Sequence, residues 1–207
     1  MLSYLYVLTD NRRYPHTIWV ERIEQAIVGG AALIQLREKK LTDQQLFPIA
    51  REIQALCHDY HVPLIVNDRI QLAHQINADG VHLGDSDASL QQARYYLGNK
   101  KIIGISCYRS IYQARRLQSQ GADYVAFGRI FTSRTKPQAG HCSISVLRAA
   151  QQQLTIPVCA IGGITPHNVK SVLATGVELV ATCDSVFNAA DPLQAANNFA
   201  QAGIMQA

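Results

Sequence analysis

ALIQLREKKLTDQQLFPIAREIQALCHDYHVPLIV, residues 32–66, holds one complete repeat of the pattern that decides the fold. It opens on a short apolar run, Ala32–Leu36, and closes on another, Pro63–Val66. Between them Leu46, Ile49, Ile53 and Leu56 recur at the spacing of a helix with one buried face. Thr42 stands where the N-cap of that helix belongs. The apolar runs do not alternate cleanly with polar residues, so each strand expects cover on both faces. Strand, helix, strand with both strand faces covered is the parallel βαβ unit.

The same alternation extends in both directions. Further candidate strands are Tyr4–Leu8, Gly80–Leu83, Lys101–Ile105, Asp123–Phe127, Pro157–Ile161 and Glu178–Ala181. Trp19, Ile23, Ala26 and Ile27 mark another helix face. Ser89, Ser143 and Thr165 are placed to open later helices, with Pro166 suited to a first helical position. Gly29, Gly98, Gly121 and Gly176 sit where helices stop. Eight strands and eight helices share the chain at roughly 26 residues per unit, lean but adequate for a (β/α)8 TIM barrel. An open doubly wound sheet is the other candidate. It places a Gly-rich phosphate turn after its first strand, where this chain has Thr9-Asp10-Asn11-Arg12. The expected fold is a single α/β domain, a (β/α)8 barrel over residues 1–207.

Composition narrows the function. The chain is 48% hydrophobic and only 16% charged, which supplies a full core and excludes a disordered tail or a long exposed coiled coil. Five cysteines (57, 107, 142, 159 and 183) show neither zinc-ligand spacing nor a disulfide framework. They read as small core residues of a protein in a reducing cytoplasm. A net charge of +4 without a basic stripe gives no expectation of nucleic-acid binding. Arg12 and Arg13 follow the first apolar run, so no signal peptide is expected. The longest uncharged stretch, 149–169, is broken by glutamines, glycines and prolines, so no membrane span is expected.

A barrel builds its active site at the C-terminal ends of its strands. Those ends read Gln35-Leu36-Arg37-Glu38-Lys39, Asn67-Asp68-Arg69, Gly84-Asp85-Ser86-Asp87, Ser106, Thr132-Ser133-Arg134-Thr135-Lys136, Gly162-Gly163 and Cys183-Asp184-Ser185. Gln35, Arg37 and Lys39 alternate along one strand, so their side chains are expected to share one face. Arg and Lys together suit a phosphate or pyrophosphate clamp. Asp68 and Asp87, from neighbouring strands, form a carboxylate pair of the kind that holds Mg²⁺ beside phosphates. Thr135 and Lys136 add hydroxyl and cationic donors. Gly162-Gly163 lets backbone N–H groups approach a second phosphate. His82 lies inside its strand and is expected to pack, as is the Tyr95-Tyr96 pair on its helix. The other histidines show no metal-ligand spacing.

At this point the residues resemble the thiamine-phosphate synthase family over nearly the whole chain. The matching segments are 5–10 (LYVLTD), 35–39 (QLREK), 67–69 (NDR), 79–84 (DGVHLG), 104–106 (GIS), 122–128 (ADYVAFG), 133–136 (SRTK) and 160–164 (AIGGI). The resemblance implies an Mg²⁺-dependent barrel that joins hydroxymethylpyrimidine pyrophosphate to hydroxyethylthiazole phosphate, releasing thiamine phosphate and pyrophosphate. It implies that Arg37, Lys39 and Lys136 hold the pyrophosphate, that Ser106 faces it, and that Gln35 and Asn67 line the same pocket. Asp68 and Asp87 would bind Mg²⁺. Ser133, Thr135, Gly163 and the backbone at Cys183-Asp184 would complete the thiazole-phosphate site. Pyrophosphate departs first in the family mechanism, and the thiazole nitrogen captures a pyrimidine-methyl cation. The implied partners are small phosphorylated molecules, with no nucleic acid and no membrane; a homodimer stays open.

Three positions depart from the family pattern. Asp184 stands at the end of strand 8 where the family usually has Ser, and Arg129 and Thr132 stand where it often has Pro. Opposite a phosphate at about 4 Å, the Asp184 charge would cost roughly 4 kcal/mol at an effective dielectric near 20. It is therefore expected to turn away or to pair with Arg129 or Arg134. Three rival readings follow. The related thiazole tautomerase branch carries a His two residues after the strand-5 Ser, where this chain has Tyr108. A non-catalytic phosphate-binding barrel draws on Asp184. A phosphosugar isomerase needs an acid/base pair that the rim does not offer.

Overall fold

The computed structural model describes residues 4–84, 87–132 and 140–204. Ser133, Arg134, Thr135 and Lys136 lie outside the described residues, as do Asp85 and Ser86. Eight parallel strands, β1 (Leu5–Leu8), β2 (Leu33–Leu36), β3 (Leu64–Asn67), β4 (Gly80–Leu83), β5 (Ile102–Tyr108), β6 (Tyr124–Gly128), β7 (Val158–Ile161) and β8 (Leu179–Thr182), pair in chain order. The barrel closes where β1 pairs with β8, Leu5 opposite Val180 and Val7 opposite Thr182. Closure excludes the open doubly wound sheet. Each expected strand lies within a residue or two of an observed one, except that β5 runs on to Tyr108.

Eight helices cover the outside: α1 (Trp19–Val28), α2 (Asp43–Asp59), α3 (Ile70–Gln75), α4 (Leu90–Leu97), α5 (Ile111–Ser119), α6 (Ile144–Gln153), α7 (Val169–Leu173) and α8 (Pro192–Ile204). Thr42 caps α2 and Ser89 caps α4, each in a reciprocal box with the glutamine three residues on. Thr165 does not open its helix. Asn168 Oδ1 accepts the Thr165 N–H at 2.8 Å, a turn forms over 165–168, and α7 begins only at Val169. The Tyr95-Tyr96 expectation also fails. Leu90 and Ala93 make the buried face of α4, so both tyrosines point to solvent, edge to face with each other. Among the described residues no helix is long and apolar enough to cross a membrane.

The strands need both faces covered because each face buries different company. Leu5, Val7, Ile34, Leu36, Leu64, Val66, Val81, Ile103, Val125 and Val180 belong to the core between sheet and helices. Tyr6, Leu8, Leu33, Ile65, Tyr124, Ala126, Cys159 and Ala181 form a second cluster inside the barrel. Period-two alternation along each strand separates the two sets. The interior is tight. A Cβ on Gly104 would overlap the Tyr124 ring, so this glycine supplies the space in which the phenol lies.

Gly104→Ala should therefore cost about 2–3 kcal/mol through overpacking, read as a lowered midpoint in urea unfolding. An unchanged midpoint would mean that the ring is not seated against β5.

Candidate active site at the strand ends

The inner rows turn polar toward the C-terminal ends of the strands, where they line a cavity of about 540 Å³. Gln35, Arg37, Asn67, Ser106, Gly163, Cys183 and Asp184, all named from sequence, contribute to its wall. Gly162 and Gly163 both hold positive φ, 107° and 64°, directly after β7. Only glycine takes up such a turn without strain.

Arg37 lies past the end of β2, so strand alternation no longer places it. Its backbone is fixed by Thr9, whose hydroxyl accepts from Arg37 N at 2.8 Å and donates to Arg37 O at 3.1 Å. Glu38 is buried and faces away from the cavity. It accepts from Asn11 at 2.6 Å and His16 at 2.7 Å, and from the N–H groups of Lys40 and Leu41. Burial pushes its carboxyl up, but these bonds outweigh burial and hold it below the ordinary value. Arg69, from the Asn67-Asp68-Arg69 segment, ties the same loop down through Asp43 and the carbonyls of Glu38 and Leu41. It anchors the rim.

Lys39 stands apart from Arg37 and donates to the Asp68 carboxylate. Asp68 is in the left-handed region, φ 63°. Asp87 accepts from Gly84 N at 2.6 Å. Its carboxyl lies within hydrogen-bond reach of Asp68, and burial together with that neighbour raises it above the ordinary range. Lys39, Asp68 and Asp87 thus form one cluster, fed by β2, β3 and β4, and none of the three lines the cavity.

Asp184 does pair, with Arg12 at 2.8 Å; of the two cations expected there, Arg134 lies outside the described residues. Arg12 comes from the loop after β1, which the β1–β8 closure brings alongside. It also donates to Asp10 at 2.5 Å, and Asn188 donates to both Asp10 and Asp184, at 3.0 and 2.9 Å. Burial pushes Asp10 up, but the bonds from Arg12 and Asn188 more than offset it and leave the carboxyl below its ordinary value. Ligand atoms of Asp10, Cys183 and Asp184 lie within 4.8 Å of one another, and the guanidinium of Arg12 supplies the balancing charge there.

Sequence reading missed the floor of the cavity. Gln35 Nε2 donates to the Tyr6 oxygen at 2.6 Å, Tyr6 meets Tyr124 at 2.9 Å, and Tyr124 meets His82 Nδ1 at 2.9 Å. His82 Nε2 in turn meets Ser106 Oγ at 2.9 Å. His82 is packed, as expected, yet it also lines the cavity. The signal was there: Tyr6, His82 and Tyr124 are polar residues inside runs that otherwise bury aliphatics. Burial holds the Tyr6 and Tyr124 phenols and the Cys159 thiol well above their ordinary ranges. Cys159 and Cys183 both reach the cavity wall, and Cys183 is the one of the five cysteines that is only partly buried.

A carboxyl whose folded value is depressed adds stability above its unfolded pKa and loses it as pH falls through the folded one. Asp10→Asn should therefore be less stable than the unaltered chain at pH 7. The gap should shrink as pH falls below about 4. Urea unfolding at pH 7 and pH 3 measures this; a gap that persists undiminished at pH 3 contradicts the Asp10–Arg12 assignment.

Comparison with known proteins agrees with the geometry. Residues 5–186 match the family model described as thiamine monophosphate synthase. A thiamine-phosphate synthase from Nitrosococcus oceani is 43% identical over 95% of this chain and 91% of its own length. One from Methylococcus capsulatus is 44% identical over 93% and 85%. A solved thiamine phosphate pyrophosphorylase from Pyrococcus furiosus superposes with a TM-score of 0.89 at 33% identity, covering 99% of this chain and 96% of that one. A 3-hexulose-6-phosphate synthase superposes at 0.70 with 17% identity, a likeness of fold alone. By sequence over nearly its whole length and by structure, the chain belongs to the thiamine monophosphate synthase family.

Proposed function

We propose that this barrel is a thiamine-phosphate synthase, a transferase that joins hydroxymethylpyrimidine pyrophosphate to hydroxyethylthiazole phosphate. Family membership supports the activity. The observation that carries the reading onto this chain is that Arg37, Asn67, Ser106 and Gly163 converge on one cavity, while Asp68, directly after Asn67, clusters with Asp87 and Lys39.

In the proposed reaction the bond between the pyrimidine methylene carbon and a pyrophosphate oxygen breaks, and the electron pair leaves with pyrophosphate. The thiazole nitrogen lone pair then forms the new C–N bond. No protein nucleophile takes part, so the protein's work is placement and charge neutralisation. Arg37, with Lys136 from outside the described residues, grips the pyrophosphate, and Ser106 donates to it. Gly163 and the backbone at Cys183-Asp184 hold the second phosphate, with Ser133 and Thr135.

Asp68 and Asp87 suit Mg²⁺. They are hard oxygen donors side by side, and burial first, then the Asp68 neighbour, raises the carboxyl of Asp87, so a cation held between them would offset both. Bound there, Mg²⁺ would neutralise charge on the departing pyrophosphate. Lys39, which pairs with Asp68, is placed to serve either the carboxylate or the pyrophosphate.

Two rivals lose their support. Asp184 was the main argument for a barrel that only binds, and Arg12 neutralises it. At Tyr108 the cavity presents a phenol where the tautomerase branch has its imidazole.

The test is formation of thiamine phosphate from the two synthetic substrates with Mg²⁺. Product is expected, and EDTA should abolish it. Asp68→Ala and Asp87→Ala should each lower turnover at least about 100-fold, the scale of several kcal/mol supplied by a held cation. Full activity in EDTA ends the Mg²⁺ assignment. Pyrophosphate binding without any product ends the synthase reading.

Asp184→Ser should change the KM for thiazole phosphate by less than about tenfold, or ~1.4 kcal/mol, because the carboxylate is already balanced by Arg12. A much larger improvement would show that Asp184 faces the phosphate.

A further inference from the structure

The floor of the cavity is a continuous chain of hydrogen bonds that crosses the barrel from β2 to β5 through side chains of β1, β6 and β4. Its links are Gln35 to Tyr6 (2.6 Å), Tyr6 to Tyr124 (2.9 Å), Tyr124 to His82 Nδ1 (2.9 Å) and His82 Nε2 to Ser106 (2.9 Å). Gln35, Tyr6, Tyr124 and His82 are all buried.

We infer that Gln35 sets the tautomer of His82 through Tyr6 and Tyr124, and that this tautomer leaves the Ser106 hydroxyl proton pointing into the cavity. The count of protons along the chain fixes the direction of each bond. An amide nitrogen only donates, so the Tyr6 oxygen accepts from Gln35. Tyr6 has a single proton, and the acceptor beside it is the Tyr124 oxygen. If Tyr124 donated to Tyr6 instead, the Tyr6 proton would be buried without an acceptor, the costly outcome. Tyr6 therefore donates to Tyr124. The Tyr124 proton passes on to His82 Nδ1, which must then be the unprotonated ring nitrogen. Nε2 carries the ring proton and donates it to Ser106 Oγ. Ser106 accepts from below, and its own proton is directed upward into the cavity that it lines.

The neighbours of the chain do not disturb this order. Burial raises both phenols far out of the neutral range, so each keeps its proton. The Cys159 thiol, which lies against both, is held neutral by the same burial. Gly104 is the gap that admits the Tyr124 ring, and His82 and Tyr124 stack with centroids 5.6 Å apart, which fixes their relative plane.

Gln35, Tyr6 and Tyr124 are thus positioning residues. In the synthase reading, on which only this last link rests, Ser106 meets the departing pyrophosphate as a donor. With the opposite tautomer the Ser106 proton would be drawn down to His82, and the cavity would face oxygen lone pairs, repelling an anion.

The experiment is long-range ¹H–¹⁵N NMR on full-length protein labelled at histidine, with the His82 signals assigned as those absent from His82→Asn. The expected result for the unaltered chain is a neutral ring with its proton on Nε2. Gln35→Glu replaces the donor by an acceptor, so the whole chain should reverse and the proton should move to Nδ1. If that variant does not fold, Tyr6→Phe cuts the chain and should release a measurable Nδ1–H population. A proton on Nδ1 in the unaltered chain, a doubly protonated ring, or a tautomer unmoved by either variant overturns the inference. Turnover of the same samples separates it from the synthase reading. Reversal should lower kcat about 100-fold, the usual cost of one lost donor to a developing anion, with little change in the KM for thiazole phosphate. An unchanged kcat with a reversed tautomer would refute the donor role of Ser106. Absence of any product from the unaltered chain would refute the synthase reading while leaving the tautomer result to stand by itself.

Discussion

Everything at the site depends on the hydrogen-bonded closure of β1 onto β8. An open sheet of the same strands would leave the loop after β1 and the end of β8 on opposite edges. Arg12 and Asp184 would then lie far apart, and two carboxylates, Asp10 and Asp184, would each need another counter-ion. Closure also turns one row of side chains from every strand inward. Eight inward rows cannot all be large, and Gly80 and Gly104 relieve the crowding on β4 and β5. The backbone of Ile102 closes against Gly80, and the room at Gly104 is taken by the Tyr124 phenol, which helps convert a packed interior into the polar floor of a cavity.

Charge at the rim is arranged in two groups, each with one basic side chain against two carboxylates. Arg12 sits between Asp10 and Asp184 on the β1–β8 side, and Lys39 sits against Asp68 on the β2–β3 side. The two groups differ in what remains. Around Asp10, Asn188 adds donors and the depressed carboxyl shows a settled anion. Around Asp68 and Asp87 the cation count is the same, one against two carboxylates, but burial and the Asp68 neighbour raise the carboxyl of Asp87 above its ordinary range. Of the two, the second is the one with a use for a further cation. Arg37, whose backbone is held by Thr9, faces the cavity.

The fold was legible because burial on both faces writes itself into every strand as an unbroken apolar run, and because Thr42 and Ser89 announce their helices by chemistry that is local. Thr165 misled for the same reason. Its side chain is a good cap, but Asn168 competes for the turn from three residues away. Tyr95-Tyr96 misled because hydrophobicity alone does not say which face of α4 meets the sheet. The rim residues were legible as polar interruptions after apolar runs. The partner of Asp184 was not, since Arg12 lies 172 positions away and only closure joins them. Tyr6, Tyr124 and His82 were hidden in plain view: each fits a strand pattern on its own, and their meaning lies in distances that only the assembled barrel defines.

A pyrimidine-methyl cation is indiscriminate, and the cavity that would hold it is lined with groups able to attack carbon. Two thiols, Cys159 and Cys183, and the Tyr6 phenol reach its wall. Their reactive forms are the thiolate and the phenolate, and burial denies both by raising each group far above neutral. Tyr124 is kept protonated in the same way and donates to Nδ1 of His82, which blocks that nitrogen's lone pair, while Nε2 carries the ring proton. Each nucleophile of the floor is thus neutralised by desolvation or by a hydrogen bond, at no cost in charge near the cation. On this view the buried network does two tasks with one arrangement: it aims a proton at the leaving anion and disarms the protein against the cation left behind.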